Sequence, residues 1–149
     1  MNSKWGRKLD KLGISSILLV IIDIVAIAFG IYYISTPRTP PYQENFIGMT
    51  HEEIAEINPN LAQLMLNCFK VIGGTFISFG ILGIHVALKS YRKGEKWAWC
   101  GMSIAHLIFL LPIAVTTYSI GAQQLFLLML VLLIVFFVAI ALPAKKVFG

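Results

Sequence analysis

The chain has 149 residues, of which 58% are apolar and 13% are charged, and its formal net charge is +5. Charged residues make up about a quarter of an ordinary soluble domain, so this composition predicts a single membrane domain surrounded by lipid. Ten of the twelve Lys and Arg residues lie in short segments beside apolar runs. This pattern is typical of a membrane topology signal and argues against nucleic-acid binding.

Four apolar runs are each long enough for the roughly 20 residues that cross about 30 Å of hydrocarbon. They predict one all-α membrane domain over residues 1–149, a bundle with helices at about 14–34, 61–88, 98–118 and 125–142. Basic clusters precede the first run, separate the second from the third and follow the fourth. The positive-inside bias then predicts that the N-terminus and the C-terminus are both cytoplasmic, in a multi-pass protein.

The external loop, 35–60, carries signals for a short helix near its end. Three prolines close to its start predict an extended segment, because proline fixes φ and disfavours helix in the residue before it. Thr50 and Glu53 have the spacing of a capping box, which predicts a short amphipathic helix from about 51 to 57. Asn58, followed by a proline, predicts the N-cap of the second transmembrane helix.

A helical wheel divides the predicted second transmembrane helix into a lipid-facing arc and a protein-facing side. The predicted lipid-facing arc is centred nearly opposite Lys70, which therefore faces protein, and consists of Cys68, Val71, Thr75, Phe79, Leu82 and Val86. Small residues allow helix backbones to approach closely. The residues predicted to pack in this way, on one flank of the protein-facing side, are Gly73, Gly80, Gly83 and Ala87. The other flank consists of Asn67, Gly74, Ser78 and His85.

Two ionisable residues are predicted to meet in the middle of the bundle. Asp23 has seven-residue spacing from Ser16 and Gly30, which places it on a small-residue stripe of the first helix. With about 1.5 Å of rise per residue, Asp23 lies roughly 13 Å and His106 roughly 12 Å from the inner boundary. An unpaired ionisable group at this depth costs at least about 2.5 to 3.5 kcal/mol. The sequence therefore predicts a hydrogen-bonded Asp23–His106 pair, which either holds two helices together or carries a proton.

Lys70 is predicted to lie apart from this pair. The same counting places it roughly 27 Å from the inner boundary, which is too far for a contact with Asp23. A lysine at that depth extends its ammonium group to the outer interface. The alternative is an outer-side anion or lipid contact that Lys70 forms together with Asn67.

The connection 91–99, with the sequence Tyr-Arg-Lys-Gly-Glu-Lys-Trp-Ala-Trp, is the most distinctive segment. A turn at the glycine is flanked by charges, and tryptophan rings prefer the membrane interface. The predicted interface anchors are Arg92, Lys93, Trp97 and Trp99. Together with Gly48-Met49-Thr50, Asn58-Pro59 and Gly73-Gly74, this segment resembles that of small uncharacterised four-helix membrane proteins of prokaryotes that carry a basic Gly-Glu-basic-Trp-Ala-Trp inner loop. The resemblance covers about the middle half of the chain and implies no known activity, and the expected location is the prokaryotic cytoplasmic (inner) membrane.

The function expected from the sequence is not enzymatic. No metal-ligand spacing, no nucleophile beside a base and no paired carboxylates appear, so neither a metal site nor a cofactor is predicted. The leading interpretation is a subunit or stabilising partner of a membrane assembly, associating with other membrane subunits or with further copies of itself in the lipid bilayer. The rival interpretation is a small proton-coupled carrier or channel, with Asp23 and His106 in the path and Lys70 near its outer mouth.

Overall fold

The computed structural model describes residues 10–148, which form four long helices and several short ones. The elements in chain order are α1 (Lys11–Ser35), α2 (Pro41–Ile47), α3 (His51–Ile57), α4 (Pro59–Lys89), a 3-10 turn (Tyr91–Lys93), α5 (Lys96–Ser119), α6 (Gln123–Ala141) and α7 (Ala144–Phe148). Four helices are long and apolar enough to cross a membrane, namely α1, α4, α5 and α6, the last with α7 as its continuation. The prediction of an all-α protein with four such helices is confirmed for the described residues. Each long helix begins two or three residues before the predicted start, because its first turn is polar.

The two ends of the bundle differ in charge and in connections. The basic end is the end where α4 turns into α5, and the loop end is the end that holds α2 and α3. Described basic residues at the basic end are Lys11, Lys89, Arg92, Lys93, Lys96, Lys145 and Lys146. The remaining members of the first basic cluster, Lys4, Arg7 and Lys8, lie outside the described residues.

Two caps define the helices that follow the loop. The Thr50 hydroxyl accepts a hydrogen bond from the Glu53 N–H, and the Glu53 carboxylate accepts one from the Thr50 N–H, at 3.2 and 2.8 Å. The Asn58 side chain accepts from the Leu61 N–H at 3.1 Å and caps α4. The predicted helix at 51–57 and the predicted helix start at Asn58 are therefore confirmed.

The first half of the loop differs from the prediction, which was wrong in expecting only extended chain. Pro41 begins a two-turn helix, α2, which ends at Gly48 with φ 77°. Proline is well suited to the first helical position, since its missing N–H would have no partner there and its φ is already helical. The same prolines that disfavour helix before them thus start a helix here.

The tightest contact in the bundle is an antiparallel seam between α1 and α4. The Ser16 hydroxyl donates to the Ala87 carbonyl oxygen at 2.7 Å. Further along the seam, a Cβ atom added to either Gly30 or Gly73 would lie 2.6 Å from the carbonyl oxygen of the other. The small residues on both helices are spaced seven apart, so they meet at three successive levels. All four predicted packing residues, Gly73, Gly80, Gly83 and Ala87, are buried.

The rotation of α4 about its own axis corrects the helical wheel. The exposed side of α4 includes Asn67, Lys70, Ser78 and His85, which the wheel placed toward protein. Phe79, placed in the lipid-facing arc, instead packs inward, with its ring 5.1 Å from that of His106 and 4.2 Å from that of Phe109. The close approach to α1 fixes the rotation of α4, and its phenylalanines fill the wider space toward α5. Lys70 is exposed, so the rotation of α4 is not set by burying its side chain.

Hydrogen bonds fasten four elements together at the basic end. The hydroxyls of Ser15 and Tyr91 lie 2.9 Å apart, and both reach the Ala139 carbonyl oxygen, at 3.0 Å from Tyr91. The Trp99 indole N–H donates to the Ile140 carbonyl oxygen at 3.2 Å. These bonds connect α1, the 3-10 turn, α5 and the last turn of α6.

Acid is expected to break a further tie at this end. Lys146 Nζ lies 2.6 Å from Asp10 Oδ2, and this hydrogen bond is the main cause that lowers the pKa of the Asp10 carboxyl below its usual value of 3.8. A depressed folded-state pKa means that the tie stabilises the fold above about pH 4 and is lost as the pH falls through the folded-state value. Asp10→Asn, which keeps the acceptor for the Gly13 N–H, should lower the melting temperature slightly at neutral pH. That difference should vanish in acid, and a difference independent of pH would contradict the assignment.

Candidate functional site

Asp23 of α1 and His106 of α5 are in direct contact at the centre of the bundle. His106 Nε2 lies 3.1 Å from Asp23 Oδ1, and both side chains are completely buried. The other ring nitrogen, Nδ1, lies 2.9 Å from the Met102 carbonyl oxygen. The two residues that the sequence placed at the same depth are therefore hydrogen-bonded partners.

These hydrogen bonds fix the number of protons that the pair holds. A carbonyl oxygen can only accept, so the Met102 contact requires a hydrogen on Nδ1 of His106. Nε2 then either accepts from a protonated Asp23 or donates to an ionised one. In both forms one proton lies between the two side chains, and the pair has no net charge. Removing that proton would leave a buried negative charge.

Asp23 is only half satisfied by this bond. Its second carboxyl oxygen, Oδ2, has no hydrogen-bond partner within residues 10–148. The carboxyl group lies against Gly83, where an added Cβ atom would overlap it. Glycine at this position therefore makes the room for the carboxyl group. A buried polar atom without a partner costs about 1–3 kcal/mol. A static hydrogen bond between two helices could be made without leaving such an atom, so a purely structural role does not account for this cost.

Aromatic rings surround His106. The ring of Phe136 stacks on it, with centroids 5.8 Å apart and an interplanar angle of 10°. The ring of Phe79 meets it edge-on at 5.1 Å. These apolar walls disfavour any net charge on the Asp23–His106 pair. The two forms in which one proton lies between the side chains have no net charge and are therefore favoured.

A small cavity lies on the loop-end side of the pair. Its volume is about 30 Å³, and its walls include Ile22 and Ala26 of α1, Leu110 of α5 and Leu132 of α6. A single water needs about 10–15 Å³ of this kind of volume, so the cavity has the size for one or two, but apart from Tyr33 and Thr117 its walls are apolar, and apolar cavities stay dry. This central cavity extends toward the loop end as far as Thr117 and Tyr33, and neither Asp23 nor His106 is among its lining residues.

The residues predicted as an outer-side contact or as interface anchors lie away from this site. Lys70 and Asn67 are exposed on α4, and the Asn67 side-chain oxygen accepts from the Gln63 amide at 3.0 Å. Arg92, Lys93 and Trp97 are exposed at the basic end, where Trp99 is half-buried. The structure brings none of these side chains to the Asp23–His106 pair.

Sequence reasoning missed the contacts that complete the fold around the pair. It did not assign partners to Ser15 or Tyr91, and it did not match the small residues of α1 with those of α4. The shared seven-residue spacing of the two helices was the available signal for the α1–α4 seam. The bonds of Ser15 and Tyr91 had no comparable signal, because neither residue shows a spacing or motif that points to a partner.

Proton binding and release is the chemistry that this arrangement can perform. Among the residues that the structure describes, no third His, Cys, Asp or Glu side chain joins the pair to form a group that could hold a metal ion. Comparison with protein-family models, curated proteins and solved structures finds no match to this chain. The geometry of the Asp23–His106 pair is therefore the basis for assigning a function.

Proposed function

We propose that this chain is a small proton-coupled carrier or channel in which Asp23 and His106 bind the transferred proton. The observation that carries the proposal is the fully buried pair, in which one carboxyl oxygen of Asp23 has no hydrogen-bond partner among the described residues. Ionisable residues inside a membrane are costly and characteristically mark ion pathways and proton relays. Apolar walls around the pair favour release of the proton only when another group replaces it or the helices separate.

Proton flux into liposomes tests this function. In purified, reconstituted protein, Asp23→Asn should reduce the flux driven by a membrane potential by about tenfold or more, because an amide fills the same space and cannot release the proton. A pH-sensitive dye trapped in the liposomes reports the flux. Asp10→Asn removes an exposed carboxylate outside the site and should leave the flux unchanged. Equal flux with aspartate and asparagine at position 23, or wild-type flux no higher than that of empty liposomes, would contradict the proposal.

We propose in addition that the basic end faces the cytoplasm of a prokaryotic cell and that the loop end lies outside. The basic residues that flank the long helices support this orientation, since cytoplasmic loops carry an excess of Lys and Arg. In this orientation α3 is an external amphipathic helix, with Ile54 buried and Glu52, Glu53 and Glu56 exposed.

Thiol labelling checks the orientation. Cys68 and Cys100 are exposed free thiols and are first replaced by alanine. Glu56→Cys and Lys93→Cys then place single exposed thiols at the loop end and the basic end. A membrane-impermeant maleimide added to intact cells should label position 56 and should reach position 93 only after permeabilisation. Labelling of both, or of position 93 alone, would exclude this orientation.

A second candidate function, a subunit or stabilising partner of a membrane assembly, is supported by the exposed side of α4. Its polar side chains lie within roughly 80° of one another around the helix. Polar groups facing lipid are costly and are usually covered by protein. The residues of this polar strip are Asn67, Lys70, Ser78 and His85.

A matched pair of variants tests the second candidate. Ser78 and Thr75 are both exposed, and each hydroxyl donates to a carbonyl oxygen of its own helix, at 2.9 and 3.0 Å. Ser78→Leu alters the polar strip, whereas Thr75→Leu alters the neighbouring exposed side. A foreign subunit that co-purifies in mild detergent should be lost only from Ser78→Leu. Co-purification that survives both substitutions, or that is absent from the wild type, would exclude this surface as the subunit interface.

A further inference from the structure

A groove at the loop end lies between α1, α2 and the first turns of α6. Its volume is about 890 Å³, within the range of about 300–1,000 Å³ that is usual for small-molecule sites. Ala28 and Gln124, on opposite walls of the groove, are both exposed. This groove, called the loop-end groove below, is lined among others by Ala28, Phe29, Tyr42, Asn45, Gln123 and Leu128.

The walls of the loop-end groove divide into a polar and an apolar part along the direction of the helices. Tyr42 and Asn45 of α2 and Gln123 of α6 form the polar part. Leu128 lies five residues beyond Gln123 along α6, so it is roughly 7 Å deeper in the bundle, and together with Ala28 it forms the apolar part. A molecule that matches both parts has a hydrogen-bonding head and a hydrocarbon chain.

The loop-end groove offers hydrogen bonds without charge. Among residues 10–148, no Lys, Arg, His, Asp or Glu side chain lines it. Burial raises the pKa of the Tyr42 phenol, whose oxygen lies 2.5 Å from that of Tyr33, so this group stays neutral. Placing an ionised head there would remove it from water without supplying an opposite charge. The lining therefore selects for an uncharged head.

We propose that the loop-end groove binds an uncharged amphiphile, with its hydrogen-bonding head at Asn45 and Gln123 and an acyl or isoprenyl chain along Leu128. This inference rests on the proposed carrier function and names the substrate class of that carrier. Phe29 and Leu125 line both the loop-end groove and the central cavity. A molecule in the groove is thus separated from that cavity by these two side chains.

Native mass spectrometry of the purified full chain tests the binding. Dioleoylglycerol has an uncharged head, and dioleoylphosphatidate has the same chains with an anionic head. We expect one dioleoylglycerol per chain and at least about tenfold weaker binding of the phosphatidate, because none of the described residues that line the groove is cationic. Binding of a ubiquinone instead of dioleoylglycerol would assign the chain as isoprenyl and would also support the proposal. Equal binding of the two dioleoyl lipids, or binding of neither uncharged molecule, would overturn it.

Matched tryptophan substitutions locate the bound molecule. Ala28→Trp fills the loop-end groove, whereas Ile21→Trp lies two turns away on the same exposed face of α1, outside the groove. Binding should be lost from Ala28→Trp and kept by Ile21→Trp. If Ala28→Trp does not fold, Leu128→Trp fills the groove from α6, and unchanged binding by a folded groove variant would overturn the proposal.

The binding measurement is independent of proton flux. Asp23→Asn should bind dioleoylglycerol or ubiquinone as the wild type does, because Asp23 does not line the groove. Loss of flux with intact binding would contradict neither proposal. Flux that survives Asp23→Asn while binding is intact contradicts only the carrier function, and absent binding beside Asp23-dependent flux contradicts only the groove.

Discussion

His106→Phe is expected to lower the free energy of unfolding by about 1–3 kcal/mol, the usual cost of leaving a buried polar group without its hydrogen bond. Without the imidazole, neither oxygen of Asp23 would have a hydrogen-bond partner within the described part of the chain, since Oδ2 already has none there. Phenylalanine suits the surrounding rings of Phe79 and Phe136, so the loss would come from the carboxyl group rather than from a cavity. Equilibrium unfolding in mixed detergent micelles, followed by circular dichroism, measures the change.

The double variant Asp23→Leu/His106→Phe tests whether the pair serves proton transfer or is a structural bond between α1 and α5. Replacing a buried pair by apolar residues of similar shape is often neutral or stabilising. We therefore expect this variant to recover most of the stability that His106→Phe loses, and to pass no more protons than empty liposomes. A double variant no more stable than His106→Phe would instead make the pair a structural bond between α1 and α5.

Gly73→Ala is expected to cost about 1–3 kcal/mol by overpacking the α1–α4 seam. The added Cβ atom would lie 2.6 Å from the Gly30 carbonyl oxygen, and a backbone atom of a packed helix cannot move aside cheaply. The two helices would have to separate along the seam, which also holds Asp23 in place. The same unfolding measurement reports the loss.

The neighbouring glycine provides a matched control. Gly74 has open space where a Cβ atom would be added, and it lies on the same helix one residue away. Gly74→Ala should be neutral or stabilising by up to about 1 kcal/mol, because alanine favours helix more than glycine does. Equal destabilisation by the two substitutions would show that helix propensity or lipid contact, and not the seam, governs α4.

The sequence predicted the bounds of the helices and the depth of residues along them better than the rotation of a helix about its own axis. Apolar length and the caps at Thr50 and Asn58 are local signals, so the long helices and α3 lie close to where they were expected. Depth follows from counting along a helix of fixed rise, which is why Asp23 and His106 could be placed at one level. Rotation about a helix axis depends on the neighbouring helix, and the assumption that Lys70 faces protein misplaced Phe79.

Features that arise between elements could not be predicted in this way. The seven-residue spacing was visible on α1 and on α4 separately, but its meaning appears only when the two helices run antiparallel with Gly30 against Gly73. The loop-end groove depends on where α2 packs, and α2 was not predicted because a proline can either end a helix or begin one. Whether the second oxygen of Asp23 has a hydrogen-bond partner depends on the side chains of the neighbouring helices, and among the described residues Gly83 of α4 lies there without one to offer.

The hydrogen bonds to the Ala139 carbonyl oxygen hold α6 against α1 at the basic end, so a tilt of α6 relative to α1 would be smallest there. Gln123 lies sixteen residues from Ala139, roughly 24 Å along α6, so a tilt of about 5° about that point would swing Gln123 by about 2 Å. Phe136, three residues from the same point, would scarcely shift and would stay on the His106 ring. Such a tilt would widen the space between α1 and α6 at the loop end and would leave the contact between Phe136 and His106 nearly unchanged.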